Sequence, residues 1–317
     1  MQFPVFDLHC DTAGALIGFG ESAPTILRNN DLHIDLERAS SLPGYAQCFA
    51  CFTTYSDKIS PVDIFEKTLM AFHREINRNA DKISQVYSAE EIDRNLQNGM
   101  MSAILTIEGP AGFDFDPALL EDLCKIGFRM STLGWNEKNP LVGSHITGGG
   151  LTQQGKEYLQ ELQRLNMLVD VSHISDEGFW DIMEITKAPV VASHSNSRAM
   201  HNISRNISDE MFKAICQTGG VVGINLYAHF LGENATIDTV CDHIIHLLNI
   251  DTECKHIALG GDLDGCDVLP KGFSGIQDYQ KLACQLLERG LSEDMVYNIF
   301  WNNAMGVMQY AVQDNTQ

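Results

Sequence analysis

A parallel (β/α)8 barrel, TIM-like, forming one domain with long loops at the C-terminal mouth, is the fold this sequence predicts, and three observations predict it. Short β-rich runs recur along the chain, each followed by a polar or Gly-containing turn and then a stretch of helical periodicity, the pattern of βα units on a parallel sheet. Eight such runs can be counted, the number that closes a barrel, and 317 residues is an ordinary size for one. No repeat, low-complexity tract or linker divides the chain, so residues 1–317 are taken as a single domain. The alternative, a doubly wound open sheet, would call for a Gly-rich dinucleotide fingerprint after the first strand, and none is there.

The predicted strands are Val5–Thr12, Tyr45–Thr53, Ser102–Glu108, Phe128–Trp135, Met167–His173, Val190–His194, Val221–Leu226 and His256–Asp262. Between them, Pro61–Asn77 sets Ile64, Leu69, Phe72 and Ile76 at helical spacing, and Ser88-Ala89-Glu90-Glu91 reads as a capping box opening Glu90–Leu96. Further helices are expected over Gly155–Leu165, Asp176–Thr186, Asp209–Thr218, Thr236–Leu248, Ile276–Arg289 and Glu293–Ala311, the last with Ser292 as N-cap. Loops rich in Gly, Pro, Asn or Ser follow at Ala13–Ala39, Asn136–Leu151 and Gly265–Ser274.

Composition narrows the function. With 21 Lys and Arg against 42 Asp and Glu, the formal charge of −21 repels a phosphate backbone, so nucleic acid is not an expected partner. The chain enters its first strand almost at once, with no basic segment or apolar leader, and nothing later is long and apolar enough to span a bilayer. A cytoplasmic protein with no membrane partner is the expectation. Nine Cys, an odd number scattered through a long chain, read as reduced thiols. Cys48 and Cys51 form a C-x-x-C, but within a strand positions three apart face opposite ways, which argues against a zinc knuckle.

The chemistry lies in how the strands end. His9 and Asp11 end the first run, Glu108 the third, His173 the fifth and His194 the sixth, while Asp262 ends the eighth with Asp264 just beyond. On a strand, residues i and i+2 share a face, so His9 and Asp11 can grip one ion together. Alone, that pair reads more readily as a solvated turn after the first strand. Repeated around one barrel mouth, three His and several carboxylates match the ligand set of a hydrolytic site holding zinc or a similar divalent metal, and two ions sharing a carboxylate would use them all. The segment Asp262-Leu263-Asp264-Gly265 also reads as an ordinary loop start, so both its carboxylates could be structural. Arg205, taken alone, reads as a surface or helix-start residue.

In order and spacing, Asp7-Leu8-His9-Cys10-Asp11, Ile107-Glu108-Gly109, Leu168-Val169-Asp170-Val171-Ser172-His173, Val191-Ala192-Ser193-His194-Ser195, Ser204-Arg205-Asn206-Ile207-Ser208-Asp209 and Gly260-Gly261-Asp262-Leu263-Asp264-Gly265 resemble the renal, or membrane, dipeptidase family over about Phe6 to Tyr310. That family's fold is a (β/α) barrel with two zinc ions. The resemblance implies that His9, Asp11 and Glu108 bind one metal, and that Glu108, as the bridge, binds the other with His173 and His194. It implies Asp262 as the acid/base residue that protonates the leaving amine, with Asp264 bracing the following loop, and Arg205 as the anchor for the substrate's free carboxylate. A homodimer is implied as well.

One departure stands out: Trp135 occupies the place where animal members have a substrate-contacting His, and it offers only an indole N–H and a broad apolar face. His145, in the next loop, is the imidazole that could stand in. Asn225 and Tyr227, at the end of the seventh strand, are expected to line the pocket. The predicted function is a binuclear metal-dependent dipeptidase acting on free dipeptides, including those ending in a D-residue. The competing readings are an amidohydrolase of N-acyl amino acids or cyclic amides on the same scaffold, and a metal-binding homologue without catalysis. Manganese, cobalt or iron would also suit the ligand set.

Overall fold

The computed structural model describes residues 2–19, 26–55 and 59–311. It forms a closed ring of eight parallel strands with helices around it, and a ninth short strand on one edge. In chain order the strands are β1 (Val5–Cys10), β2 (Tyr45–Phe52), β3 (Ile83–Gln85), β4 (Met101–Glu108), β5 (Phe128–Thr132), β6 (Leu168–Asp170), β7 (Val190–Ala192), β8 (Val221–Ile224) and β9 (Ile257–Leu259). Sheet order runs β2-β1-β9-β8-β7-β6-β5-β4, and the β2–β4 pairing closes it. The extra strand β3 shares one edge of β4 with β5, pairing with Met101–Ala103 while β5 pairs with Leu105–Ile107. Three residues are too few for a periodic signal, and the sequence reading missed this strand.

Alternation along the strands sorts the core into two layers. Phe6, Leu8, Cys48, Ile104, Met130 and Val191 pack together inside the ring, whereas Val5, Cys51 and Leu105 belong to the layer beneath the helices. The C-x-x-C cysteines therefore face opposite sides as expected, and all nine thiols are free. The end of the barrel opposite the mouth is stoppered by the C-terminal helix: Trp301, Met305 and Met308 join the interior cluster, with the Trp301 ring 5.6 Å from that of Phe6. This segment is not one uniform helix. It runs Glu293–Tyr297, widens into a π turn over Asn298–Asn302 and resumes over Asn303–Tyr310. The widening lets Phe300 face the outer layer while Trp301 fills the interior.

Helices over Pro61–Arg78, Gln153–Arg164, Asp176–Ile185, Asp209–Gln217, Ile237–Leu248 and Tyr279–Glu288 cover the barrel's outside. Ser88, Thr152, Ser175, Ser208, Thr236 and Ser292 each cap a helix N-terminus by accepting a backbone N–H three residues on. Within the predicted loop Ala13–Ala39 the structure forms short helices at Thr12–Ala15, Leu16–Phe19 and Leu36–Ala39. No helix among the described residues is long and apolar enough to cross a membrane.

Candidate active site

The residues singled out at the strand ends meet at one mouth of the barrel. Glu108 arrives there by simple alternation, above Ile104, which faces the interior. His9 needs a device: the β1–β2 register slips between Asp7 and Cys10, and the His9 N–H turns to Asp7 Oδ1 at 3.0 Å. Asp7 also accepts the Gly261 N–H and the Tyr279 hydroxyl, so it ties β1 to the turn after β9 and to an outer helix. Asp11 reaches His9 by a route the sequence reading did not foresee. β1 ends at Cys10, and Asp11 is the N-cap position of the Thr12–Ala15 helix, so a turn and not a shared strand face brings its Oδ2 to 3.5 Å from His9 Nε2.

His173, Asp262 and Asp264 have φ of 71°, 56° and 68°, a left-handed backbone that non-glycine residues seldom adopt and that turns each chain inward just past its last ladder bond. Asp264 does brace its loop: its carboxylate accepts the Thr12 hydroxyl at 2.6 Å and the His33 N–H at 2.5 Å.

Glu108 is the centre of the cluster. Its Oε2 lies 3.4 Å from His9 Nε2, and its Oε1 lies 3.0 Å from His173 Nε2 and 3.7 Å from His194 Nε2. The two imidazoles on the Oε1 side are fixed from behind. His173 Nδ1 donates to Asn136 Oδ1 at 2.9 Å. His194 Nδ1 donates to Ser193 Oγ at 2.7 Å, because the Ser193 hydroxyl itself donates to Asp170. Asp170, 1% exposed, is held in turn by the Ser172 and Ser193 N–H groups.

With both Nδ1 atoms protonated, the two Nε2 atoms carry lone pairs, and they face each other at 2.9 Å beside a carboxylate oxygen. Burial holds both rings neutral, pushing their pKa values well below that of free His, with the Arg205 charge and neighbouring imidazoles adding to the effect. Three acceptors pointed at one spot repel one another unless a cation lies between them. His9 Nε2, buried with no hydrogen-bond partner, points to the same need. Geometry gathers two overlapping ligand trios, His9 with Glu108 and His194, and His9 with Asp11 and Asp262. The donor set fits divalent metal.

Carboxylate crowding shifts the acids of the cluster upward. Burial raises Glu108 against the opposing pull of His9, and burial together with the charges of Asp11 and Glu108 pushes Asp262 up to about 7. His9 goes the other way for an imidazole: burial disfavours its cation, but Glu108 and Asp11 outweigh that and raise it well above 6.5, so without a metal a proton supplies the positive charge these carboxylates call for.

A cavity of about 470 Å³ opens onto this nest, with Asp11, Glu108, His173 and Asp262 on its wall. Trp135 and Tyr227 also line it. Trp135 packs edge-on against Phe52, centroids 4.9 Å apart, and stands 6.1 Å from the His173 ring. Asn225 and Arg205 do not reach the wall. Asn225 is fully buried, and its amide donates to Asp262 Oδ2 at 3.0 Å and to the His194 carbonyl at 3.3 Å. Arg205 lies beneath the Phe230 ring, its guanidinium carbon 5.3 Å from the centroid, donating to Ser195 Oγ and the His194 carbonyl while its Nε has no partner. His145 Nε2 donates to the same Asn136 oxygen as His173, so it supports a cluster residue from outside the cavity.

The sequence reading gave no role to Asp7, Asn136, Asp170 or Ser193. Two of them carried a signal: Asp7 and Asp170 are charged residues inside apolar strands, two and three positions before a His, where only a buried hydrogen-bonding task makes a carboxylate tolerable. Asn136 and Ser193 carried none.

A family model described as membrane dipeptidase (peptidase family M19) matches residues 1–317. Curated relatives include two uncharacterised dipeptidases of Schizosaccharomyces pombe. One is 35% identical over 65% of this chain and 52% of its own length, the other 32% identical over 81% and 67%. The chain thus spans about half the length of the first. Dipeptidase tcpJ of Claviceps purpurea is 26% identical over 87% of this chain and 69% of its own length. Among solved structures, a metallo peptidase from Rhodobacter sphaeroides, liganded with a phosphinate mimic of the dipeptide L-Ala-D-Ala, superposes with a TM-score of 0.88 at 21% identity, covering 98% of this chain and 100% of that one.

Proposed function

The chain belongs to the membrane dipeptidase family, and from that premise we propose that it is a binuclear metal-dependent dipeptidase acting on free dipeptides. The observation that carries the reading is the placement of Glu108, whose two oxygens face different ligand groups. His9, Asp11 and Glu108 would hold one ion, and Glu108, His173 and His194 the other. Imidazole and carboxylate donors in this proportion suit zinc. Such ions polarise a peptide carbonyl and acidify water.

The chain's own residues supply the rest. Asp262 takes up a proton and returns it to the leaving amine. Asn225 occupies its Oδ2, leaving Oδ1 turned toward the nest 3.9 Å from His9 Nε2, where a carboxylate can take and return a proton. Arg205, just behind the wall under Phe230, would supply the positive charge that draws the C-terminal carboxylate of the substrate. Ser195 and the His194 carbonyl hold its fork in place, and its buried Nε keeps a donor to offer. The mimic bound by the Rhodobacter structure supports acceptance of a C-terminal D-residue.

The test is hydrolysis by zinc-loaded protein of dipeptides with L or D C-terminal residues, each beside its N-acetyl and C-amide analogue, with metal counted per chain. Two metals and cleavage confined to free dipeptides are expected. Cleavage of the N-acetyl forms would replace this reading with that of an acyl-amino-acid hydrolase.

A further inference from the structure

The cavity over the metal nest has two unlike halves. On the β8 and β9 side its wall carries the carboxylates of Asp262 and Asp264 with Tyr227 and Phe230. On the β2 and β5 side it is built from Ala15, Ile17, Phe52, Ile64 and Trp135. The threonines of that half are polar in name only. Thr53 donates its hydroxyl to the Gly109 carbonyl and accepts the Gly112 N–H at 3.0 Å, and Thr68 donates its hydroxyl to the Ile64 carbonyl at 2.8 Å. Thr53 is thus bonded as both donor and acceptor and Thr68 as donor, so neither hydroxyl proton is left for a ligand. Glu108, at the end of β4 between β2 and β5, belongs to the metal nest, and the Asn136 side-chain oxygen is taken by His173 and His145, so the Thr54 hydroxyl and the Trp135 indole N–H are the remaining polar side-chain groups of this half. A charged or strongly hydrated side chain placed there would lose its water without gaining a partner, whereas an apolar one would be buried against aromatic and aliphatic surface.

Ring topology says which end of a substrate meets this wall. In the eight-strand ring β2 and β5 each stand three positions from β8, nearly across the mouth, and Phe230, which covers Arg205, follows β8. A dipeptide whose carboxylate is drawn toward Arg205 therefore points its other residue at the apolar half.

We propose that Ile17, Phe52, Ile64 and Trp135 form a specificity pocket that selects dipeptides with a large apolar N-terminal side chain. The proposal rests on the dipeptidase reading and extends it to a substrate class. Trp135 and Phe52 do the selecting together, since their edge-to-face packing makes one stiff wall.

The experiment compares kcat/KM of the zinc-loaded protein for Gly-Ala, Leu-Ala, Phe-Ala, Lys-Ala and Glu-Ala with the reversed series. Leu-Ala and Phe-Ala should exceed Gly-Ala by about 10- to 100-fold, the gain from burying such a side chain, and should exceed Lys-Ala and Glu-Ala by at least as much. The reversed series should be flatter. Trp135→Ala should lower the Phe-Ala to Gly-Ala ratio by about tenfold. Ile64→Lys, which puts a cation in the apolar half, should raise Glu-Ala relative to Leu-Ala, a gain that misfolding cannot produce. Hydrolysis with a flat N-terminal profile, or a preference that appears only in the reversed series, would overturn the pocket while leaving the dipeptidase reading intact. Hydrolysis of none of the dipeptides would overturn both.

Discussion

Replacing Asp262 by Asn should make the metal-free protein more stable and the metal-loaded protein nearly inactive. Asp262 sits among buried carboxylates, and burial with the neighbouring Asp11 and Glu108 lifts its pKa from 3.8 to about 7. A folded-state pKa above the unfolded one means that the native state binds more protons between those values, so stability falls as pH rises from about 4 to 7 and stays low beyond. Roughly three pKa units at about 1.4 kcal/mol each give a penalty on the order of 4 kcal/mol at pH 8.

The amide has no charge to bury, and its oxygen can accept the Asn225 bond as the carboxylate does. For 317 residues, an unfolding entropy of about 2.1 cal/mol/K per residue converts that gain to a rise in Tm of about 6 °C. Calorimetry of both proteins in chelator at pH 8 and pH 4 measures it, with a rise at pH 8 and little change at pH 4 expected. On zinc loading, both proteins should hold two metals, while kcat for a dipeptide falls by about 10²- to 10⁴-fold with the proton carrier gone. Activity within tenfold of the parent would remove Asp262 from the mechanism, and an equal gain in Tm at both pH values would show that charge burial is not its cost.

Ser193→Ala leaves His194 Nδ1 without its acceptor and cuts the link to Asp170, so affinity for one of two metals should drop by about 10- to 100-fold in a chelator competition titration; two unchanged affinities would count against it. Gly260→Ala sets a Cβ 1.7 Å from the Ser193 carbonyl oxygen, a backbone atom that cannot step aside, and should cost about 1–3 kcal/mol or more in urea unfolding, whereas an unaltered midpoint would show that the strands can part there.

Much of the barrel could be read ahead of the structure because strands buried on both faces write themselves as apolar runs, and polar residues at their ends have few places to be other than the mouth. What escaped the reading escaped for physical reasons. The predicted strands Phe128–Trp135 and Met167–His173 extend past the observed β5 and β6, since Trp135 lies beyond the last ladder pair and His173 lies in a turn with a left-handed backbone. The slip between Asp7 and Cys10 cannot be seen in a periodicity count, so the route by which His9 and Asp11 meet was misjudged although their meeting was not. Asn225 was expected to face substrate from its place in sequence; hydrogen bonds to Asp262 and the His194 carbonyl turned it into the wall behind. Side-chain direction past a strand end depends on turn geometry, which residue spacing alone does not encode.

The stopper at the barrel's closed end has a consequence for how the chain is made. Trp301, Met305 and Met308 complete an interior whose first contributors, Phe6 and Leu8, are translated almost 300 residues earlier. Throughout synthesis those early strands have sisters to pair with but no floor to rest on, so the nascent ring is a tube open at its base, with apolar surface exposed to water. Closure is thus a late event, coupling β1 to the segment around Trp301 across a long stretch of intervening chain, and that is a slow kind of contact to form. A ribosome stalled before Asn298 would hold a chain with every side chain of the mouth cluster already synthesised and no finished interior to support them.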